Sequence, residues 1–79
     1  MKITSTDVRT GNERTFATVE IAQKWWETQL AADGCKIEFE KIDKEPDGSY
    51  ALAVRRVWGV ASLNQGEREQ GFIYVDLEG

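Results

Sequence analysis

Two stretches in the second half of the chain are apolar at both alternating sets of positions. In Tyr50-Ala51-Leu52-Ala53-Val54-Arg55-Arg56-Val57-Trp58-Gly59-Val60, neither the odd nor the even residues are consistently polar. Gly71-Phe72-Ile73-Tyr74-Val75-Asp76-Leu77 puts Phe72 and Tyr74 on one side and Ile73, Val75 and Leu77 on the other. Side chains alternate across a strand, so strands of this kind need cover on two faces. The rest of the chain predicts a single helix, and one sheet face is therefore expected to meet a partner.

Residues 2–9 alternate weakly, with Thr4, Thr6 and Val8 against Ile3, Ser5 and Asp7, a polar strand suited to a sheet edge. Thr10-Gly11-Asn12 signals a turn, and Glu13 to Ala17 returns as a short second strand. Thr18 is a good helix N-cap, with Glu20 in the first turn where a carboxylate meets the positive end of the dipole. Phe16, just outside the cap, is placed to fold back onto Ala22 or Trp26. At about 100° per residue, Ala22, Trp25, Trp26, Gln29 and Ala32 share one helix face, flanked by Val19 and Leu30. Asp33-Gly34 is the predicted stop, with Gly34 as C-terminal cap.

Cys35, Ile37 and Phe39 then alternate with Lys36, Glu38 and Glu40, a strand with one dry face. Asp47-Gly48 is a strong hairpin signal, and the last turn is predicted near Asn64-Gln65-Gly66. The pattern defines an α+β class, ββαβββ: a single helix packed on one face of an antiparallel sheet.

A last turn centred on Gln65 sets Trp58 opposite Phe72, Arg56 opposite Tyr74, Val57 opposite Ile73 and Arg55 opposite Val75. The Asp47-Gly48 turn places Phe39 near Arg56 and Glu40 near Arg55. Ile37 and Phe39 then share a face with the aromatics, while Ile73, Val75, Leu77, Val57 and Ala53 share the other. A bulge near Arg55-Arg56 is a way to switch that alternation. Both faces qualify as the core, and the sequence leaves open which lies under the helix.

Seventy-nine residues suggest one domain, 1–79, burying about 60% of its unfolded surface. No run of apolar residues is long enough to span a membrane, and Met1 to Asp7 lacks the apolar centre of a signal peptide. A lone cysteine, Cys35, excludes an internal disulfide, so a cytoplasmic setting is expected. The formal charge is −4, from fourteen acids and ten bases, which argues against non-specific nucleic-acid binding. The acids are dispersed among bases along the chain, so a whole-protein DNA mimic is not indicated.

Catalytic equipment is sparse. There is no histidine, the commonest general base and metal ligand. One cysteine excludes a thiolate zinc site within a monomer, and the scattered glycines form no phosphate loop. Neither a metal nor another cofactor is expected. Glu38 and Glu40 project from the same strand face about 7 Å apart, but Lys36, Lys41 and Arg55 nearby make an exposed ion-pair row the expected arrangement, not an acid–base pair. The chain is not expected to be an enzyme.

What remains is Arg55, Arg56, Trp58, Phe72 and Tyr74, with Glu38 and Glu40 as a polar rim. Trp, Tyr and Arg dominate protein-binding hot spots. Core packing of Trp58 and Phe72 is the structural alternative. Base stacking on an aromatic sheet face is the nucleic-acid alternative. Trp25 and Trp26, on the dry arc of the helix, are expected in the core.

Taken whole, the chain resembles the very short phage-encoded anti-CRISPR proteins that act on type I surveillance complexes. The resemblance runs through Met1-Lys2-Ile3-Thr4, Thr15-Phe16-Ala17-Thr18 leading into a helix with Ala22, and Asp47-Gly48-Ser49-Tyr50. It continues into the strand ending Val57-Trp58-Gly59 and closes with Phe72-Ile73-Tyr74-Val75-Asp76. It implies a non-enzymatic inhibitor that docks on Cas subunits and blocks target-DNA access, in the host bacterial cytoplasm. It supplies no catalytic residues. A homodimer burying the second sheet face, as a structural or regulatory subunit, and a single-strand nucleic-acid binder are the other expectations.

Overall fold

The computed structural model describes residues 1–31, 35–58 and 66–77. Five antiparallel strands and one helix follow the predicted order: β1 (Lys2–Asp7), β2 (Glu13–Phe16), α1 (Val19–Gln29), β3 (Cys35–Ile42), β4 (Tyr50–Trp58) and β5 (Gly66–Asp76). The class is α+β. No helix among the described residues is long and apolar enough to cross a membrane.

Thr18 starts α1 as the sequence requires. Its backbone is extended and its hydroxyl accepts from the Ile21 N–H at 3.1 Å, satisfying one otherwise orphaned donor. The helix closes earlier than expected. Leu30 is the C-cap, its N–H donating to the Trp26 carbonyl at 3.0 Å while its side chain is buried in the core. Anchoring Leu30 there ends the helix at Gln29; Ala32 and the predicted stop at Asp33-Gly34 lie outside the described residues. Phe16 does fold back on the helix, but its ring partner is Trp25, with centroids 5.9 Å apart. Trp26 instead points into the sheet.

The strand order is β2-β1-β5-β4-β3. The first strand is therefore not an edge, as its polar alternation suggested. Ile3 and Ser5 are buried beneath the helix, and the C-terminal strand pairs along β1 from Asp76 to Gly71. The threonines that made the strand look edge-like, Thr4 and Thr6, lie on the face away from the helix, opposite Tyr74 and Phe72. The edges are β2 and β3.

The β4–β5 register differs from expectation. Trp58 lies opposite Gly66, six positions short of Phe72, because β5 begins in the charged segment Glu67-Arg68-Glu69. That segment has no apolar residue to announce a strand. Cross-strand charge supports it, with Arg55 set between Glu38 and Glu69. Phe72 and Tyr74 face Ala53 and Ala51 instead of Trp58 and Arg56. Phe39 likewise pairs with Val54, and Glu40 with Ala53.

A bulge is present one step from its expected place. Val54 pairs with Gly71 and Arg55 with Glu69, so the extra residue is Gln70, on β5 and not on β4. Gln70 is buried. Its carbonyl accepts from the Val8 N–H at 3.0 Å and its side-chain amide donates to the Arg68 carbonyl at 3.3 Å. Alternation along β4 runs unbroken, while that of β5 switches face at Gln70.

Neither expected set lies whole under the helix: Ile73 and Val75 from one join Ile37 and Phe39 from the other there, while Ala53 and Val57 share the far face with Phe72 and Tyr74. The core is Ile3, Ala22, Trp26, Leu30, Leu52, Val54 and Ile73, with Phe16, Val19, Trp25, Ile37, Phe39 and Tyr50 packed around it. Gly71 lets Trp26 approach the sheet: a Cβ there would meet the Thr6 carbonyl and lie 2.8 Å from the indole ring. Beyond Gly71, β1 no longer pairs with β5. The remaining parts of β3, β4 and β5 continue as a three-stranded arm, in a molecule measuring 44 × 23 × 21 Å.

Candidate binding face

The sheet face away from the helix carries Phe72 and Tyr74 from β5, Ala51, Ala53 and Arg55 from β4, and Glu38 and Glu40 from β3. Strand alternation places each of them. The Phe72 and Tyr74 rings stack, with centroids 6.0 Å apart and planes inclined by 28°. Tyr74 is 41% exposed. Ala51 and Ala53, opposite the two rings, are buried at 2% and 0% exposure, so the rings and not the alanines form the accessible surface here. On the arm side, Arg55 is ion-paired to Glu40. No described element covers this face, since α1 packs on the other one.

The bulge divides the seven residues singled out in the sequence. Arg55, Phe72, Tyr74, Glu38 and Glu40 come together on the uncovered face. Arg56 and Trp58 lie on the helix side. There Trp58 covers Gly66, where a Cβ would lie 2.5 Å from the ring. This is packing of an aromatic over a bare strand glycine. The Arg56 Nε donates to the Cys35 Sγ at 3.4 Å, leaving Cys35 half-buried in a structural setting.

The sequence reading missed Ala51, Ala53, Glu67 and Glu69. The two alanines carry no signal of their own, since small residues opposite aromatic ones are buried wherever the register sets them. The alternation of Glu67 and Glu69 around Arg68 was the available signal for a strand with acids on one side. The expected ion-pair row reduces to Glu40–Arg55. Lys41 alternates to the helix side, where its Nζ sits 4.1 Å from the centre of the Tyr50 ring.

The electrostatics are local. Burial works to raise the Asp7 pKa. Hydrogen bonds from the Arg9 side chain and backbone, the nearby Arg9 charge and the Thr10 N–H outweigh it and hold the carboxyl below its ordinary range. Among the described residues no three His, Cys, Asp or Glu side chains gather as a metal site. Every buried side-chain polar atom described has a hydrogen-bond partner.

No protein-family model matches the chain, and neither a curated protein nor a solved structure matches it.

Proposed function

We propose that this is a non-enzymatic binding protein that acts by seating its uncovered sheet face on a protein partner. The observation that carries this reading is the stacked Phe72–Tyr74 pair, with Tyr74 exposed, on a face the helix does not cover. Rings held against each other lose little further conformational freedom on docking, and both supply large contact area. The Glu40–Arg55 pair beside them supplies the charged rim. The partner proposed is a Cas subunit of a type I CRISPR surveillance complex, whose access to target DNA the protein blocks. Support for that choice is the whole-chain resemblance, which implies a host bacterial cytoplasm as the setting.

The test is target-DNA binding by purified, guide-loaded type I complexes with and without the protein, combined with co-elution. Co-elution with loss of DNA binding supports the reading, and Tyr74→Ala should weaken both. Absence of co-elution across subtypes refutes the proposed partner. If sedimentation then shows a concentration-dependent dimer that Tyr74→Ala disrupts, the face is a self-association surface.

A further inference from the structure

The geometry points to a second site, on the helix side of the three-stranded arm, where Arg56 and Arg68 take a phosphate group and Trp58 takes the base attached to it. Arg56 and Arg68 are directly opposite each other across the β4–β5 ladder. Like charges at facing positions destabilise a sheet. Neither arginine forms an ion pair among the described residues.

Arg55, one residue away, shows the contrast. It is paired with Glu40 and flanked across the strands by Glu38 and Glu69. The arm holds four carboxylates close by, Glu38, Glu40, Glu67 and Glu69, and alternation sends all four to the opposite face. The two arginines share this face without a described counter-charge, Arg68 exposed on β5 and Arg56 with its Nε on the Cys35 Sγ of β3 and its terminal nitrogens unpaired among the described residues. A phosphate is the matching ligand, since its oxygens accept from two guanidinium forks at once and remove the repulsion.

Trp58 fixes the rest of the ligand. It lies two residues beyond Arg56 on the same strand and the same face, about 7 Å along the chain. Its ring lies over Gly66 and is half-buried. Phosphate on the arginines and a planar base on the indole is the chemistry of a nucleotide, free or within a single strand. Arg68 is exposed; Arg56 is half-buried with its Nε on Cys35, so its terminal nitrogens are the donors that meet such a ligand.

Nitrogen-15 NMR of the whole chain tests this with three probes: inorganic phosphate, thymidine 5′-monophosphate and a short oligothymidylate, each against chloride at matched ionic strength. All three should move the Arg56 and Arg68 Nε–H signals. Only the two base-bearing probes should move the Trp58 indole N–H, and they should bind about tenfold tighter than phosphate. The oligonucleotide binding tighter than the monophosphate assigns the ligand to a strand, and the reverse order assigns it to a free nucleotide.

Arg68→Gln, at an exposed position, should abolish the shifts while leaving the backbone spectrum and unliganded thermal stability intact or improved. Lys24→Gln on the helix should change nothing. Unmoved arginine signals, or shifts spread equally over Lys2, Lys24 and Lys44, would overturn the site. Phosphate binding with no response from Trp58, and no gain from the base, would overturn its assignment to a nucleotide.

Discussion

The indole N–H of Trp26 donates to the hydroxyl of Ser5 at 2.7 Å, and that hydroxyl donates to the Phe72 carbonyl at 2.8 Å. The relay links α1, β1 and β5 through one buried oxygen. It also joins the two faces of the sheet, because the accepting carbonyl belongs to the residue whose ring stands on the far side. Core packing of the helix thus fixes the strand that presents the aromatic pair.

Ser5→Ala should therefore cost more than the loss of one small side chain. It leaves the Trp26 N–H unsatisfied in the core and removes a donor from the Phe72 carbonyl, for a loss of about 1–3 kcal/mol. Urea denaturation should show a lower midpoint with an unchanged slope. An unchanged midpoint would mean that the relay contributes nothing net.

Two glycines separate close approach from backbone conformation. A Cβ at Gly71 meets the Thr6 carbonyl and the Trp26 ring, and a backbone oxygen between two strands has little room to yield. Gly71→Ala should cost about 3 kcal/mol, the upper part of the overpacking range. At Gly11, with φ +77°, nothing lies within 4 Å of an added Cβ. Gly11→Ala should cost only the left-handed penalty, about 1–2 kcal/mol. The same denaturation measurement ranks them, and equal losses would count against the packing argument.

The contrast between these elements also explains what was legible in the sequence. Thr18 announced the helix because a cap is a local interaction, and Asp47-Gly48 announced its turn for the same reason. The interior place of β1 was hidden because it depends on pairing with β5, which no local feature of Lys2–Asp7 encodes. Glu67-Arg68-Glu69 was hidden because it has no apolar alternation, and its one favourable cross-strand charge partner, Arg55 opposite Glu69, lies on another strand. The candidate face was half-legible. Phe72 and Tyr74 were placed on one side together, but Trp58 and Arg56 were joined to them by a register that one extra residue, Gln70, undoes. A bulge reverses every side chain beyond it, so a small local error becomes a wrong face.

Asp7 supplies a pH test with a defined sign. Its carboxylate accepts from the Arg9 N–H at 2.8 Å and from an Arg9 Nη at 3.3 Å, interactions only the ionised form fully rewards. The folded pKa is lowered, so the contribution is fully present above the unfolded value of about 3.9 and is lost as pH falls through the folded value. The Asp7 carboxyl resonance should titrate with a midpoint below about 3.9. A midpoint at or above that value would show that burial, not Arg9, governs the group.

Tyr74 and Trp58 should differ in partner binding when truncated, and the pair tests the division of the sheet into two faces. Tyr74 is 41% exposed on the uncovered face, where its contribution to the fold is its stacking on Phe72 and its place opposite the buried Ala51. Tyr74→Ala should lower stability by about 1 kcal/mol, the loss of its stacking on Phe72. It should cost partner binding about 2 kcal/mol or more, roughly 30-fold, because a central aromatic anchor is lost. Trp58 lies on the helix side with its ring over Gly66, so truncation strips cover from the β4–β5 ladder. Trp58→Ala should lower stability by about 1–3 kcal/mol and leave partner affinity through the opposite face within a factor of about 2. Thermal unfolding and partner titration of both variants decide the matter. If Trp58→Ala weakens partner binding as strongly as Tyr74→Ala in a protein that remains folded, then the partner engages both sides of the arm and the single-face account is wrong.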